Sequence, residues 1–377
     1  MDRLSLRRAV ERLRDGLFDS VAVEQLTVEE DQIKHVFAKN LKALEKGKSD
    51  HLCICGSYGQ GKSHTITYLN QLALRQGYAT SIVQLDVREV PLHQFSAVYQ
   101  SMMHKLALPD GKKFTDAWKT WAEKNSLAVL DSMPHRFRMV LKAMLCKSKK
   151  LSTKESSSKK HQNYRPKEYG YWLEQALMGS NVPAADLKSV FKYREVEGYR
   201  SHSLTCRGND PYIQMVQSLG IVLREMGYKG LLLFFDEAES VAQGRVSHRV
   251  KSYSILDQFF QSGSSVFPLF AFTDDFFEQA QRESYDDDRK IFPKNYAEAW
   301  RNLNILRLQD FSARGWSSLL DRLLQLYSQA YQIELSPHVR GSLHSFLEKL
   351  EVQETRFKLK ALVHKLDIET QHILLNP

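Results

Sequence analysis

The sequence predicts an α/β fold: a parallel sheet sandwiched by helices, carrying a helical insertion and followed by a small all-α domain. Three observations lead there. Gly56-Ser57-Tyr58-Gly59-Gln60-Gly61-Lys62-Ser63 fits G-x-x-x-x-G-K-[ST], the phosphate-binding P-loop. The loop is flanked by a short buried-strand run, His51 to Cys55, and by a helix-period stretch, His64 to Gln76, with Ile66, Leu69, Leu72 and Ala73 on one face. Far downstream, Leu231-Leu232-Leu233-Phe234-Phe235 runs into Asp236-Glu237, the continuous apolarity of a central parallel strand covered on both faces. A glycine loop after one strand and an acidic pair after another describe a P-loop NTPase.

The residue types follow from the chemistry. Gly56, Gly59 and Gly61 let backbone N–H groups approach phosphate oxygens without a Cβ in the way. The helix that opens there adds partial positive charge, so Ser57, Tyr58, Gln60 and His64 are expected to wall the phosphates. Lys62 is expected on the β- and γ-phosphates of ATP, and the Ser63 hydroxyl on Mg2+. Asp236 is the second metal-side residue, and Glu237 polarises the attacking water. The triphosphate is expected between the glycine turn and the acidic end of a neighbouring strand. No Asn-Lys-x-Asp guanine signature occurs, which favours adenine.

Composition bounds the rest. The 377 residues carry 53 Lys and Arg against 44 Asp and Glu, a net charge of +9 that favours an acidic partner such as DNA. Cys53, Cys55, Cys146 and Cys206 show no C-x-x-C spacing, so they read as core thiols rather than zinc ligands. The arginine-bearing N-terminus has no signal-peptide core and no run reaches the ~20 apolar residues of a membrane span, so a cytoplasmic protein with reduced thiols is expected.

In chain order, residues 1–28 form an N-terminal arm. Leu6, Val10, Leu13 and Leu17 repeat at helical spacing, and Gly16 to Thr27 reads as a connector. Thr27-Val28-Glu29-Glu30 fits a T-x-x-E capping box opening a helix to about Lys46. The ATPase core spans 29–310. A second strand follows at Ala79–Asp86, and Pro91 opens a helix through about Leu106. Residues 109–208 form a helical insertion, with a flexible, basic, low-complexity linker at 147–161. A helix at about Tyr212–Met226 leads into the acidic strand. Val266 to Thr273 is an apolar strand tipped by Thr273, a candidate phosphate sensor, and Asn302 to Leu308 is the last strand. Helical periodicity at 312–331, 336–350 and 355–375 makes a C-terminal lid, 311–377.

This order resembles the AAA+ ATPases of the initiator-like branch, and within them the BREX-associated, BrxD-type ATP-binding proteins of bacterial anti-phage defence. The likeness rests on Gly16-Leu17-Phe18, on Gly56–Ser63, on the run from Met226-Gly227-Tyr228 to Asp236-Glu237-Ala238-Glu239, on Phe270 to Phe277, and on Thr355-Arg356-Phe357 with Leu366-Asp367. It implies Walker A at Lys62 and Ser63, Walker B at Asp236 and Glu237, sensor one at Thr273 and sensor two at Arg356. Two positions depart from the family pattern: Phe272 replaces a glycine and Thr355 a proline. Arg282, Arg289 and Arg301 are the candidates for an arginine finger in an ATP-dependent homo-oligomer. The expected partners are proteins of a defence or DNA-processing complex, and DNA. Two alternatives to an ATPase remain at this level: a nucleotide-gated switch with little turnover, and a small-molecule kinase.

Overall fold

The computed structural model of the chain describes residues 2–261, 265–285, 291–352 and 354–375. Strands β1 (Leu52–Cys55), β2 (Ala79–Gln84), β3 (Leu231–Asp236), β4 (Val266–Phe272) and β5 (Ile305–Arg307) form one parallel sheet in the order β2-β3-β4-β1-β5. In register, Ile54 stands beside Ala271 on one side and Leu306 on the other, and Phe234 beside Ile82 and Leu269. β4 therefore separates β1 from β3, which corrects the expectation of adjacent strands. The two strand ends still open onto the same edge, where ligands of open parallel sheets bind.

The period-2 geometry of strands divides each between two cores. Cys53 and Cys55 face the core that contains Leu233 and Phe235, whereas Leu52 and Ile54 face the one with Leu232 and Phe234. The latter side is covered by α3 (Asp31–Glu45) and α4 (Lys62–Arg75). The former is covered by α5 (Phe95–His104), α11 (Asp210–Glu225) and α12 (Val246–Phe260), with α13 (Phe276–Tyr285) and α14 (Tyr296–Ala299) alongside. Burial pushes the Cys53 thiol well up and the Cys55 thiol up to about 12, so both behave as small hydrophobes.

The insertion comprises α6 (Phe114–Ala122), α7 (His135–Leu145), α8 (Thr153–Ser156), α9 (Pro166–Leu177) and α10 (Ala184–Tyr193). Trp118, Phe137, Leu173 and Phe191 join the same core as the sheet face, so the insertion thickens that layer. Over 147–161, where composition predicts a flexible linker, the backbone follows a tethered path. Ser152 and Glu155 form a capping box that starts α8, and the Lys149 N–H donates to the Tyr193 carbonyl at 2.8 Å. Local side-chain capping supplies the order that a low-complexity reading cannot see.

The third core joins both ends of the chain. Leu6, Ala9, Val10 and Leu13 of α1 (Arg3–Arg14) pack with α2 (Ser20–Leu26) against the lid helices α15 (Ala313–Tyr331), α16 (Pro337–Glu348) and α17 (Thr355–Leu375). Each buried Leu or Val contributes about 1.5–3 kcal/mol. The half-buried Arg14 fork on Asp367, at 2.7 Å through Nε and through Nη2, is the smaller term and fixes register.

Three local expectations fail. The connector contains α2, capped by Asp19, whose Oδ1 accepts from Val21 and Ala22 N–H. Thr27 closes α2 instead of capping α3, and its hydroxyl donates to the Val23 carbonyl at 2.6 Å. Glu30, the glutamate of the expected box, accepts from Lys34 at 2.9 Å instead, while Glu29, with φ of 53°, turns to accept from the Ser312 N–H. Residues 91–94 form a turn and α5 begins at Phe95, whose N–H is taken by Asn209 Oδ1, 114 positions away. Among the described residues no helix is long and apolar enough to cross a membrane.

Candidate functional site

Strand β1 ends at Cys55, and the P-loop turns directly into α4. Gly61 is the N-cap residue with φ of 100°, a conformation an L side chain rarely adopts, and it provides no side-chain cap. The first N–H groups of a 14-residue helix are thus left for a ligand. Lys62 is buried, and its ammonium donates to the carbonyls of Gly56 at 2.9 Å and Ser57 at 3.2 Å. No carboxylate neutralises it among the described residues. Gln60 braces the loop, accepting from the Ser57 N–H at 2.8 Å and donating to Asp310 at 3.0 Å.

At the end of β3, Glu237 has φ of 55°. A non-glycine residue in that region costs about 1–3 kcal/mol and persists only where the surroundings hold it. Its backbone N–H donates to Asp236 Oδ1 at 3.0 Å, which holds the Asp236 carboxylate against the turn that carries Glu237. Glu239 follows on the next turn. Burial raises its pKa, and Oε2 has no hydrogen-bond partner among the described residues. Tyr58, Gly59, Gln60, Gly61, Lys62, Ser63, His64, Asp236, Glu237 and Glu239 all line one cavity of about 550 Å³. The Lys62 amine and the Asp236 carboxylate therefore share a site. Gly56 and Ser57 lie behind that wall and act through their carbonyls.

Apolar lining comes mainly from the chain's beginning, interspersed with Thr27, Glu29, Asp31 and Gln32. Leu17, Phe18, Leu26, Val28 and Ile33 supply it, with Leu308 and Leu359. Arg356 closes the rim from the first turn of α17, its guanidinium 5.6 Å from the Tyr58 ring and its Nη1 3.5 Å from the Tyr58 hydroxyl. Thr273 closes β4 but is not part of the cavity wall. Its neighbour Asp274 touches the P-loop instead, accepting from Ser57 Oγ at 3.1 Å and from Arg307 at 3.2 Å. Arg282 and Arg301 are exposed and away from the cavity, and Arg289 lies outside the described residues.

His64 lies between loop and arm. Its Nε2 is 2.9 Å from Thr27 Oγ1, and its ring meets Phe18 edge-on at 5.6 Å. The Thr27 hydroxyl hydrogen goes to Val23, so the imidazole Nε2 carries the proton and donates. Burial pushes His64 down to about 4 from the ordinary 6.5. The folded state therefore binds fewer protons than the unfolded chain between those values. Its stabilising contribution is complete above pH 6.5 and is lost as pH falls toward 4. The loss amounts to about 2–3 kcal/mol. Thermal melts of the nucleotide-free protein at pH 7 and 4.5 should show a larger drop for wild type than for His64→Gln. Equal drops would contradict this account.

Sequence reasoning missed Glu239, Asp274, Arg307, Asp310 and the apolar wall from Leu17 to Ile33. Glu239 had a usable signal, three positions after Asp236 on the turn following the strand. Asp274 adjoins the singled-out Thr273. The apolar wall had none, because three short elements far from the P-loop in sequence form it.

The family model described as "BREX system ATP-binding protein BrxC/D" matches residues 3–132 and 208–372. No curated protein matches the chain. Among solved structures, the Walker-type ATPase PABY2304 of Pyrococcus abyssi is similar at 10% identity over 92% of this chain and 74% of that one. Its TM-score of 0.39 is too low to carry an argument.

Proposed function

The chain belongs to the family of BREX system ATP-binding proteins BrxC/D, and from that membership and the cavity's chemistry we propose a magnesium-dependent ATP hydrolase of the AAA+ type, working with protein partners in a defence complex. The carrying observation is that the Lys62 ammonium, the start of α4 and the Asp236-Glu237 pair line one cavity that also has apolar lining. The polar groups suit a triphosphate and the apolar lining a flat base.

Hard oxygen donors fit magnesium, and the set here is the Ser63 hydroxyl with the Asp236 carboxylate, leaving remaining positions to phosphate and water. When bound, the ion supplies charge neutralisation at the β- and γ-phosphates. Lys62 and the α4 N–H groups would hold the phosphate oxygens. Glu237 would orient a water in line with the γ-phosphorus and accept its proton as the bond to the β-γ bridging oxygen breaks. Arg356 would add positive charge from the lid, and Thr273 would sense the γ-phosphate after a small rearrangement of the β4 tip. Phosphate release should require both ATP and Mg2+ and stop with chelator. Equal release with and without the metal would remove the proposal.

A second reading has its own support: Arg356 and Leu359 of the lid and Leu17 and Phe18 of the arm share the cavity wall, so occupancy is coupled to lid position. A nucleotide-gated switch with little turnover would use that coupling. Sizing in ATP against ADP separates the two. An ATP-dependent homo-oligomer, with Arg282 or Arg301 facing a neighbour's phosphates, favours the hydrolase. A monomer that only changes shape favours the switch.

A further inference from the structure

The stretches matched by the family model leave out residues 133–207. That segment holds sixteen Lys and Arg against six Asp and Glu, a surplus of ten, while the whole chain's surplus is nine. The protein's positive charge is therefore concentrated in the one segment outside the family pattern, and the remainder is near neutral.

Part of this charge surrounds a concavity of about 300 Å³ between α10 and the turn around Lys159–Gln162, sharing no lining residue with the nucleotide cavity. Lys159, Lys160, Lys188, Lys192 and Arg200 line it, and all five are exposed. Lys188 and Lys192 stand at i,i+4 on α10, a like-charge spacing that is unfavourable without a counter-charge. The segment's acidic partners lie elsewhere, as in Lys149 with Glu195, and none of the five cations meets a described carboxylate. Tyrosines hold two of them in place without neutralising them. Lys192 Nζ is 4.7 Å from the Tyr193 ring centroid, and Arg200 is 5.3 Å from that of Tyr199. Gln162, Asn163 and Ser189 complete the lining with uncharged hydrogen-bonding groups.

We propose that this concavity is a nucleic-acid site that binds the phosphodiester backbone without reading sequence. Uncompensated cations around a polar hollow supply the electrostatic term that dominates such binding. Tyr193 is buried and the half-buried Tyr199 ring is engaged by Arg200, so the contacts fall mainly on phosphates. A peptide partner would need an apolar anchor, and a membrane an inserting face. Tyr171 is the only large hydrophobic of the segment that is strongly exposed, and it is not part of the lining. The inference stands apart from the ATPase reading, since its test uses no nucleotide.

The test is fluorescence anisotropy of the full chain with a labelled DNA of about 20 nucleotides, single-stranded and duplex. Five phosphate contacts predict a slope of log affinity on log salt of about −4.5 for duplex and about −3.5 for single strands, a loss of roughly 500-fold and 100-fold between about 50 and 200 mM KCl. Lys188→Glu with Lys192→Glu should weaken binding at least tenfold and flatten the slope by about 2. Arg200→Glu, off the helix, should weaken it independently, and Lys188→Arg with Lys192→Arg should keep it. Melting temperatures check that each variant folds. Salt-dependent binding to either DNA form, lost in the glutamate variants, supports the site, and the tighter form names the natural strand state. Binding that ignores salt or these substitutions would overturn it. So would polyglutamate of equal charge displacing the DNA as well as unlabelled DNA does, which would mark an acidic protein as the occupant.

Discussion

Lys62→Ala should bind ATP at least 100-fold more weakly than wild type, while its melting temperature without nucleotide changes little. The two halves of that result share one geometric cause. The ammonium is buried and, among the described residues, is held by the Gly56 and Ser57 carbonyls with no carboxylate partner. Removing it from the nucleotide-free protein breaks two modest hydrogen bonds at the edge of an open cavity. Removing it from the complex deletes charge-assisted hydrogen bonds to phosphate, worth about 1.5–3 kcal/mol each. Lys62→Arg should not restore affinity, because a planar guanidinium does not replace a compact ammonium between two carbonyls and a phosphate. Titration with a fluorescent ATP analogue measures the loss. Thermal melts with and without ATP check it, since a ligand that no longer binds no longer raises the melting temperature. Wild-type affinity in Lys62→Ala would mean that the triphosphate is not held at Lys62.

Glu237→Gln should keep ATP affinity within a few-fold and lose turnover by a factor of about 10² to 10⁴, the usual contribution of general base catalysis. The substitution preserves volume. It also leaves the N–H that donates to Asp236 and a side chain that tolerates the φ of 55° about as well as glutamate does. Only the capacity to accept a proton goes. Phosphate release at saturating ATP, paired with the same binding titration, separates turnover from affinity. Unchanged turnover would move the water-activating role elsewhere, and Glu239 is the first place to look. Its carboxylate lines the cavity, has an oxygen unpartnered among the described residues, and is held toward its neutral form by burial.

The candidate site was legible in proportion to how local its parts are. Gly56–Ser63 is a contiguous word whose conformation follows from its glycines, and Leu231–Glu237 is another whose apolarity announces a doubly covered strand. Some of the local expectations failed through a neighbour in sequence, such as the Asp19 cap that starts α2, and others through a partner far along the chain. Ser312 holds Glu29 at the turn before α3, Asn209 sets the start of α5, and Lys62 shares its cavity with residues of the first helical elements. Thr273 illustrates the limit from the other side. The strand tip was legible, but Asp274 makes the contact with the P-loop.

By itself, the sequence determined the parallel sheet, the glycine loop and the acidic strand end, because each is encoded by residue types at fixed short spacing. Tertiary structure alone decided that β4 separates the two functional strands, that α1 and α2 belong to the lid's core, and that the cavity's apolar wall is drawn from the arm. Such choices depend on which apolar faces cover one another. Burial is non-directional and indifferent to distance along the chain, so no local pattern records them.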